Sequence, residues 1–392
     1  MARPVNGKPR WLVERFKELP KDGVPEFVGT YLRMKYGQKD IDRIMAGYEC
    51  KRQPVLWVNE ALGSVDEAKA ILAEAGTECE SCNWQPAVLA VPEGADSELS
   101  QSELVAQGKA RVLDDAVSLL AADAAVRFAR EIASKRRLAC EQESPCPAGG
   151  AEGTTGSEAS QPEPSASEAE DLTAACRADA KPASADAPEE TVPLCVTVAE
   201  LCAGTGGMTL PLATALGEAA LIRACEVAGN ECSELSRAVE LAGVGNVEVR
   251  RYDSRRFKGD EEKFDVVLLD PPCSPTGTLY AHDPRLHATF GEQKIPECMA
   301  LDKSLFLLSL SLLEVGGVLV YTTSSVLNLE NEEVIRTCLA RSGSMGSFEV
   351  VPLELPAEAG LPQLPTDIEG TVLTCPSEHC EGRFIAAIRR VA

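Results

Sequence analysis

The chain has 392 residues, 44% apolar and 25% charged, which suits a globular protein large enough for two domains. No run approaches the roughly 18 apolar residues of a membrane span. Nor does an apolar signal segment separate Met1-Ala2-Arg3-Pro4 from Trp11-Leu12-Val13, so neither membrane insertion nor a secretory leader is expected. The net charge of −23 argues against a uniformly basic nucleic-acid binder, but it is unevenly spread. Residues 141–190 hold 12 acidic and two basic side chains, whereas residues 1–60 hold 12 basic and eight acidic. A basic end can meet phosphates on an acidic protein, because the local field decides; an ordinary solvated surface accounts for it equally well. The fifteen cysteines are scattered through apparent core segments, as at Cys202, Cys225 and Cys338. They read as small buried hydrophobes in a reducing compartment, and no metal site is predicted.

Residues 1–53 begin the chain as a helical segment, with Trp11, Phe16, Phe27, Tyr31 and Ile41 recurring among charged residues. Pro54-Val55-Leu56-Trp57-Val58-Asn59 reads as a strand and Pro86-Ala87-Val88-Leu89-Ala90-Val91 as another. Between them Asp66 to Ala75 reads as a helix with Ala68, Ile71, Leu72 and Ala75 on one face. Residues 54–135 thus form a small α+β module. From 136 to 192 Pro, Ala, Ser, Glu and Gly dominate, and residues 141–190 contain one large aliphatic side chain, Leu172. Burial there cannot offset ordering entropy, so an acidic disordered insertion is predicted.

Over 193–392 the pattern is strand, turn, helix, repeated. Val196-Thr197-Val198-Ala199 enters a glycine-rich turn, Ala219 to Cys225 leads to Glu226, and Val247 to Arg251 leads to Asp253. Phe264 to Leu269 leads to Asp270, and Gly317 to Tyr321 follows a helix at 299–313. Alternation of this kind predicts an α/β, Rossmann-like domain whose mostly parallel sheet is covered on both faces. Ligands in such sheets sit at the carboxyl ends of strands, where each of these polar residues falls.

The turn Cys202-Ala203-Gly204-Thr205-Gly206-Gly207-Met208 is the candidate cofactor loop, since its glycines let backbone approach a ligand. A glycine loop by itself is as often structural. Glu226 lies 22 residues after Gly204, where an acid accepts hydrogen bonds from ribose hydroxyls. Asp253 would accept from an adenine amino group and Asp270 completes the pocket. A dinucleotide is the rival ligand.

Three segments carry a family resemblance. Glu200-Leu201-Cys202-Ala203-Gly204-Thr205-Gly206-Gly207, Leu269-Asp270-Pro271-Pro272-Cys273-Ser274-Pro275-Thr276-Gly277, and Tyr321-Thr322-Thr323-Ser324-Ser325 with Glu330-Asn331-Glu332 resemble the Sun/NSUN (RsmB-type) RNA cytosine-5 methyltransferases. The module with Trp57-Val58-Asn59 resembles that family's RNA-recognition-like extension, Val112 to Leu119 its helix leading into the cofactor strand, and Gly382-Arg383-Phe384-Ile385-Ala386-Ala387 its closing strand. The resemblance implies a class I methyltransferase domain with S-adenosylmethionine as cofactor. It implies RNA as partner, in ribosomal RNA or a ribosomal particle, with a protein partner alongside. Reduced cysteines leave mitochondrion, nucleolus and cytosol open as compartments, the mitochondrion slightly ahead. The family loop usually reads Cys-Ala-Ala-Pro-Gly-Gly-Lys; here Gly204, Thr205 and Met208 stand for Ala, Pro and Lys, with one positive charge fewer.

Cytosine carbon 5 accepts a methyl group only after a thiolate adds at carbon 6. By resemblance Asp270 steadies the cytosine edge, Cys273 assists product release, and the attacking cysteine belongs at 324, where the chain carries Ser324. A serine hydroxyl without a strong base stays protonated, and none of His282, His287 and His379 is placed as that base. Two readings stay open. Cys273 itself attacks, as the Pro-Cys cysteine does in DNA cytosine-5 enzymes, or methylation is lost and the fold persists as an RNA-binding scaffold such as a ribosome assembly factor. A packed turn thiol is the bland alternative for Cys273, and helix-terminus electrostatics that for Glu330-Asn331-Glu332. A nitrogen methyltransferase, suggested by Asp-Pro-Pro-Tyr motifs, would need an aromatic at 273, which is absent.

Overall fold

A computed structural model gives the fold and describes residues 23–92, 94–143, 196–253, 263–283 and 285–392. Trp11, Phe16 and the predicted insertion from 144 to 192 lie outside the described residues.

Helices α1 (Glu26–Lys35) and α2 (Gln38–Glu49) bury Val28, Leu32, Ile41, Ile44 and Tyr48 at helical spacing. Their apolar stripe does not close on itself. It joins the core formed by Leu269, Leu319, Tyr321 and Phe384, so this segment is built into the large domain. The Tyr36 hydroxyl donates to the Val326 carbonyl at 2.6 Å and the Tyr48 hydroxyl to that of Thr276.

Strands β1 (Val55–Val58), β2 (Glu80–Ser81), β3 (Val88–Ala90) and β4 (Ala110–Leu113) form an antiparallel sheet ordered β2-β3-β1-β4. All four β1 residues are buried because both faces are covered. Leu56 and Val58 pack on helix α3 (Val65–Glu74), whereas Val55 and Trp57 pack on Leu119, Leu210 and Ala242 of the larger domain. Buried Asn59 adds a polar tie, donating to Ala242 O at 3.2 Å. Residues 110–113, assigned from sequence to a leading helix in part, are strand because β1 offers them a ladder with Val112 opposite Leu56. Helix α4 (Leu119–Glu143) then begins, and it continues well past the predicted boundary at 136.

The second sheet contains β5 (Val196–Leu201), β6 (Ala220–Glu226), β7 (Val247–Arg251), β8 (Phe264–Leu269), β9 (Leu313–Thr323), β10 (Phe348–Val351), β11 (Val372–Leu373) and β12 (Phe384–Arg390). Its order is β7-β6-β5-β8-β9-β12-β10, with β11 beside β12. Pairing is parallel from β7 to β9, and β12 runs antiparallel to both β9 and β10. This is the α/β, Rossmann-like architecture of class I methyltransferases. Every residue of β8 is buried, and each buried Val or Leu contributes about 1.5–3 kcal/mol. Helices α5 (Thr209–Leu216), α6 (Gly229–Ala242), α7 (Lys294–Ser311) and α8 (Glu332–Arg341) complete the domain. Helix α7 starts earlier than sequence suggests, since Pro296 falls in its first turn, where no N–H partner is lost.

A methyl group at Gly47 would lie 2.0 Å from the Pro376 carbonyl oxygen, where α2 crosses the loop before β12. Gly47→Ala is therefore expected to lower stability by about 1–3 kcal/mol in urea unfolding. Gly343→Ala, which meets nothing within 4 Å, is expected to leave it unchanged.

Candidate active site

The carboxyl ends of β5, β6 and β8 open onto a cleft of about 420 Å³. Cys202, Gly204, Glu226, Asp253, Asp270, Cys273 and Ser324 all line it, so most of the residues singled out in sequence converge. Ala203 and Met208 do not: both are buried, and Met208 packs against Leu212 and Val198 in the core. The turn is strained where it meets the cleft. Cys202 adopts φ 62°, the one positive φ among described non-glycine residues, and Gly204 and Gly206 follow at +55° and +96°.

Glu226 does more than sequence suggested. Its carboxylate accepts N–H groups from Gly204 at 2.9 Å, Val227 at 2.7 Å and Ala228 at 2.8 Å, tying the β5 turn to the β6 turn. A carboxylate offers about four acceptor directions, so capacity remains for a ligand hydroxyl. A Cβ on Gly204 would touch nothing within 4 Å, which leaves the turn open to the cleft. Acids at two neighbouring strand ends beside an open glycine turn fit an adenosyl cofactor of the S-adenosylmethionine type.

On the other side of the cleft the decisive group is Arg383, which was read from sequence only as part of a strand. Antiparallel pairing puts Phe384 opposite Thr323, and so carries Arg383 to Ser324. The buried guanidinium donates to Ser324 Oγ at 2.7 Å, Thr322 Oγ1 at 3.2 Å, Asp270 Oδ2 at 3.3 Å and the Glu381 carboxylate. Burial opposes its charge, but Glu381 and Asp270 outweigh that and hold it protonated. The Ser324 hydroxyl in turn donates to Glu381 at 3.4 Å. The one sequence signal for this group was a cation immediately before the apolar run Phe384 to Ile388.

Cys273 reaches the same place from β8, and its sulfur accepts the Ser324 N–H at 3.3 Å. Burial pushes its thiol well above the ordinary value, and Asp270, Glu330 and Asp302 push further. Burial likewise raises Asp270, against the pull of Arg383. Glu330, Asn331 and Glu332 are all fully buried; Glu332 opens α8, while Glu330 and Asn331 brace the loops ahead of it. Glu330 accepts from Ser274 N at 2.7 Å and Ser325 Oγ at 2.6 Å, joining the loop of Cys273 to that of Ser324. Asn331 accepts from Thr323 Oγ1 at 2.6 Å and donates to Ser325 O at 2.8 Å. Glu332 is paired with Lys35 of α1. His282 sits on the surface against Glu49 and His379 is exposed, so neither serves Ser324; the side chain of His287 lies outside the described residues. Cys79 and Cys82 have the spacing of a metal or redox pair, yet they pack against different clusters. No cluster of three potential metal ligands occurs among the described residues. Nor is any described helix long and apolar enough to cross a membrane.

Residues 193–389 match the family model for the 16S rRNA methyltransferase RsmB/F. The chain is 31% identical over 200 residues to the ribosomal RNA small subunit methyltransferase F of Cronobacter sakazakii, a match covering 50% of this chain and 40% of that protein. The protein of the same description from Vibrio cholerae is 30% identical over 199 residues, with 50% of this chain and 41% of that one covered. The match therefore spans well under half the length of these relatives. Among solved structures, NSun6 from Pyrococcus horikoshii with SFG superposes with a TM-score of 0.66 at 15% identity, covering 95% of this chain and 98% of that one. A methyltransferase homolog protein from the same organism gives 0.58 at 20% identity, covering 94% and 99%.

Asp302, between cleft-lining Leu301 and Leu305, is fully buried with both carboxylate oxygens unpartnered. Burial first, then Glu330 and Asp270, push it up to about 9. The folded state thus keeps a proton that the unfolded state releases near pH 4, so stability falls as pH rises from there toward 9. The melting temperature is expected to drop between pH 6 and 9, and Asp302→Asn to flatten that slope in calorimetric scans. An equally steep slope in the variant would place the proton elsewhere.

Proposed function

The chain belongs to the 16S rRNA methyltransferase RsmB/F family, and we propose that it binds S-adenosylmethionine and a base of ribosomal RNA without attacking that base through a thiolate. The cofactor lies along Glu226, Asp253 and the turn at Gly204; the base enters toward Asp270, Cys273 and Ser324. The observation that carries this reading is the state of the two candidate nucleophiles. Ser324 is clasped between Arg383 and Glu381, and the Glu381 carboxylate, the acceptor nearest its proton, is already paired with the guanidinium. Burial first, and then the carboxylates around it, disfavour the Cys273 thiolate. Neither supplies the electron pair that carbon 6 requires at neutral pH. The protein then acts as an RNA-bound scaffold on the small ribosomal subunit or its precursor.

Calorimetry with S-adenosylmethionine is expected to give micromolar binding that Glu226→Ala abolishes. Transfer of label from the cofactor to small-subunit RNA is expected to stay at background for the natural chain and for Ser324→Ala. A thiol at 324 would lie beside the Arg383 cation, which favours its ionised form. Ser324→Cys is therefore expected to raise transfer by about 10²-fold or more, within the range that a positioned catalytic group contributes. Robust transfer by the natural chain, lost in Cys273→Ala, would overturn the scaffold reading and make Cys273 the nucleophile.

A further inference from the structure

The glycine turn carries no basic residue of its own between Cys202 and Met208. Among the described residues, the charged side chains lining the cleft are all acidic: Glu226, Glu231, Asp253 and Asp270. A cofactor with a methionyl end brings a carboxylate into this negative surrounding, and that group needs a counter-charge. Arg383 is unsuited to supply it, since its three nitrogens are already held by Glu381, Asp270, Thr322 and Ser324.

The small antiparallel sheet provides one. Arg111 stands on edge strand β4, opposite Trp57 of β1, and extends across the domain boundary. Its Nη2 donates to the Thr205 hydroxyl at 2.6 Å, in the middle of the turn between Gly204 and Gly206. Its Nε is buried with no hydrogen-bond partner. No carboxylate forms a salt bridge with it among the described residues; Glu234 acts on it only at longer range. Burial works against the charge of this guanidinium, so an anion at the turn would relieve it. A surface phosphate contact would not require a half-buried cation tied to the turn.

We propose that Arg111, delivered by the N-terminal module, is a cofactor-binding residue whose unused donors hold the methionyl carboxylate of S-adenosylmethionine over the turn at Thr205. This rests on the cofactor reading above and deepens it, because the N-terminal module then completes the cofactor site.

The test is calorimetric titration of the full chain, as the natural protein, Arg111→Gln and Arg111→Lys. The ligands are S-adenosylmethionine and 5′-methylthioadenosine, which keeps the adenosine and sulfur but has no amino-acid end. Arg111→Gln is expected to weaken S-adenosylmethionine about tenfold, as loss of a charge-assisted contact does, while leaving 5′-methylthioadenosine unchanged. Arg111→Lys is expected to recover part of the loss. Equal weakening of both ligands would make Arg111 a structural tie of the loop and overturn the inference. So would unchanged cofactor binding, including the case in which only RNA affinity falls and the cation serves phosphate. If the natural chain binds neither ligand, the cofactor reading itself fails and the inference falls with it. Binding of both by the natural chain, with no selective loss in the variant, sinks the inference alone.

Discussion

Taking a guanidinium out of water is tolerable only when each face of it finds a partner, and Arg383 meets that condition at the point where three strands end. It joins Asp270 after β8, Thr322 and Ser324 at the end of β9, and Glu381 before β12. Glu381 is in turn linked by its backbone N–H to Asp115, which burial and the Glu381 charge raise to about 7. Asp115 also accepts the Val117 N–H at 2.7 Å, just ahead of α4. One cation therefore organises the Ser324 side of the cleft and reaches the connection to the N-terminal module. Breaking such a buried pair by removing one partner typically costs about 3–5 kcal/mol, because the other charge is left stranded.

That arrangement holds the shape of the cleft and sets the charge around Cys273 and Ser324. Acids crowd the site: Asp270, Glu330 and Asp302 all act on Cys273. Glu200, fully buried beneath the turn, is itself raised to about 8, chiefly by burial. In such a field the neutral thiol is the favoured form. The same field suits a cofactor bearing a positive sulfur and an amino group, and it makes a cation near the glycine turn valuable.

The N-terminal helices extend the same logic to the loops. Tyr36 and Tyr48 each satisfy a carbonyl of a base-site loop, and Lys35 lies against buried Glu332. The two loops are also tied to each other through Glu330. Gly277 permits a further close approach, for its Cβ would fall 1.9 Å from Gly382 O. Ties of this kind fix the relative positions of Cys273 and Ser324.

Much of this was legible in the chain before folding was considered. Alternating apolar runs fix strands and helices, because period and burial are local properties. Acids at strand ends mark where a parallel sheet binds ligands, so Glu226, Asp253 and Asp270 were found from position alone. Cys273 stood out by its proline-flanked turn, and Ser324 by the family resemblance of its segment. What the sequence could not determine was pairing between distant segments. The antiparallel register of β12 on β9 brings Arg383 to Ser324, and the edge position of β4 brings Arg111 to Thr205. Both depend on contacts across long stretches of chain, where no local periodicity or spacing encodes the neighbour. Burial also reverses the meaning of a residue, as Asp302, an ordinary acid in the sequence, keeps its proton once enclosed. Sequence determined which groups surround the cleft; the folded sheet alone decided which of them touch, and therefore which are charged.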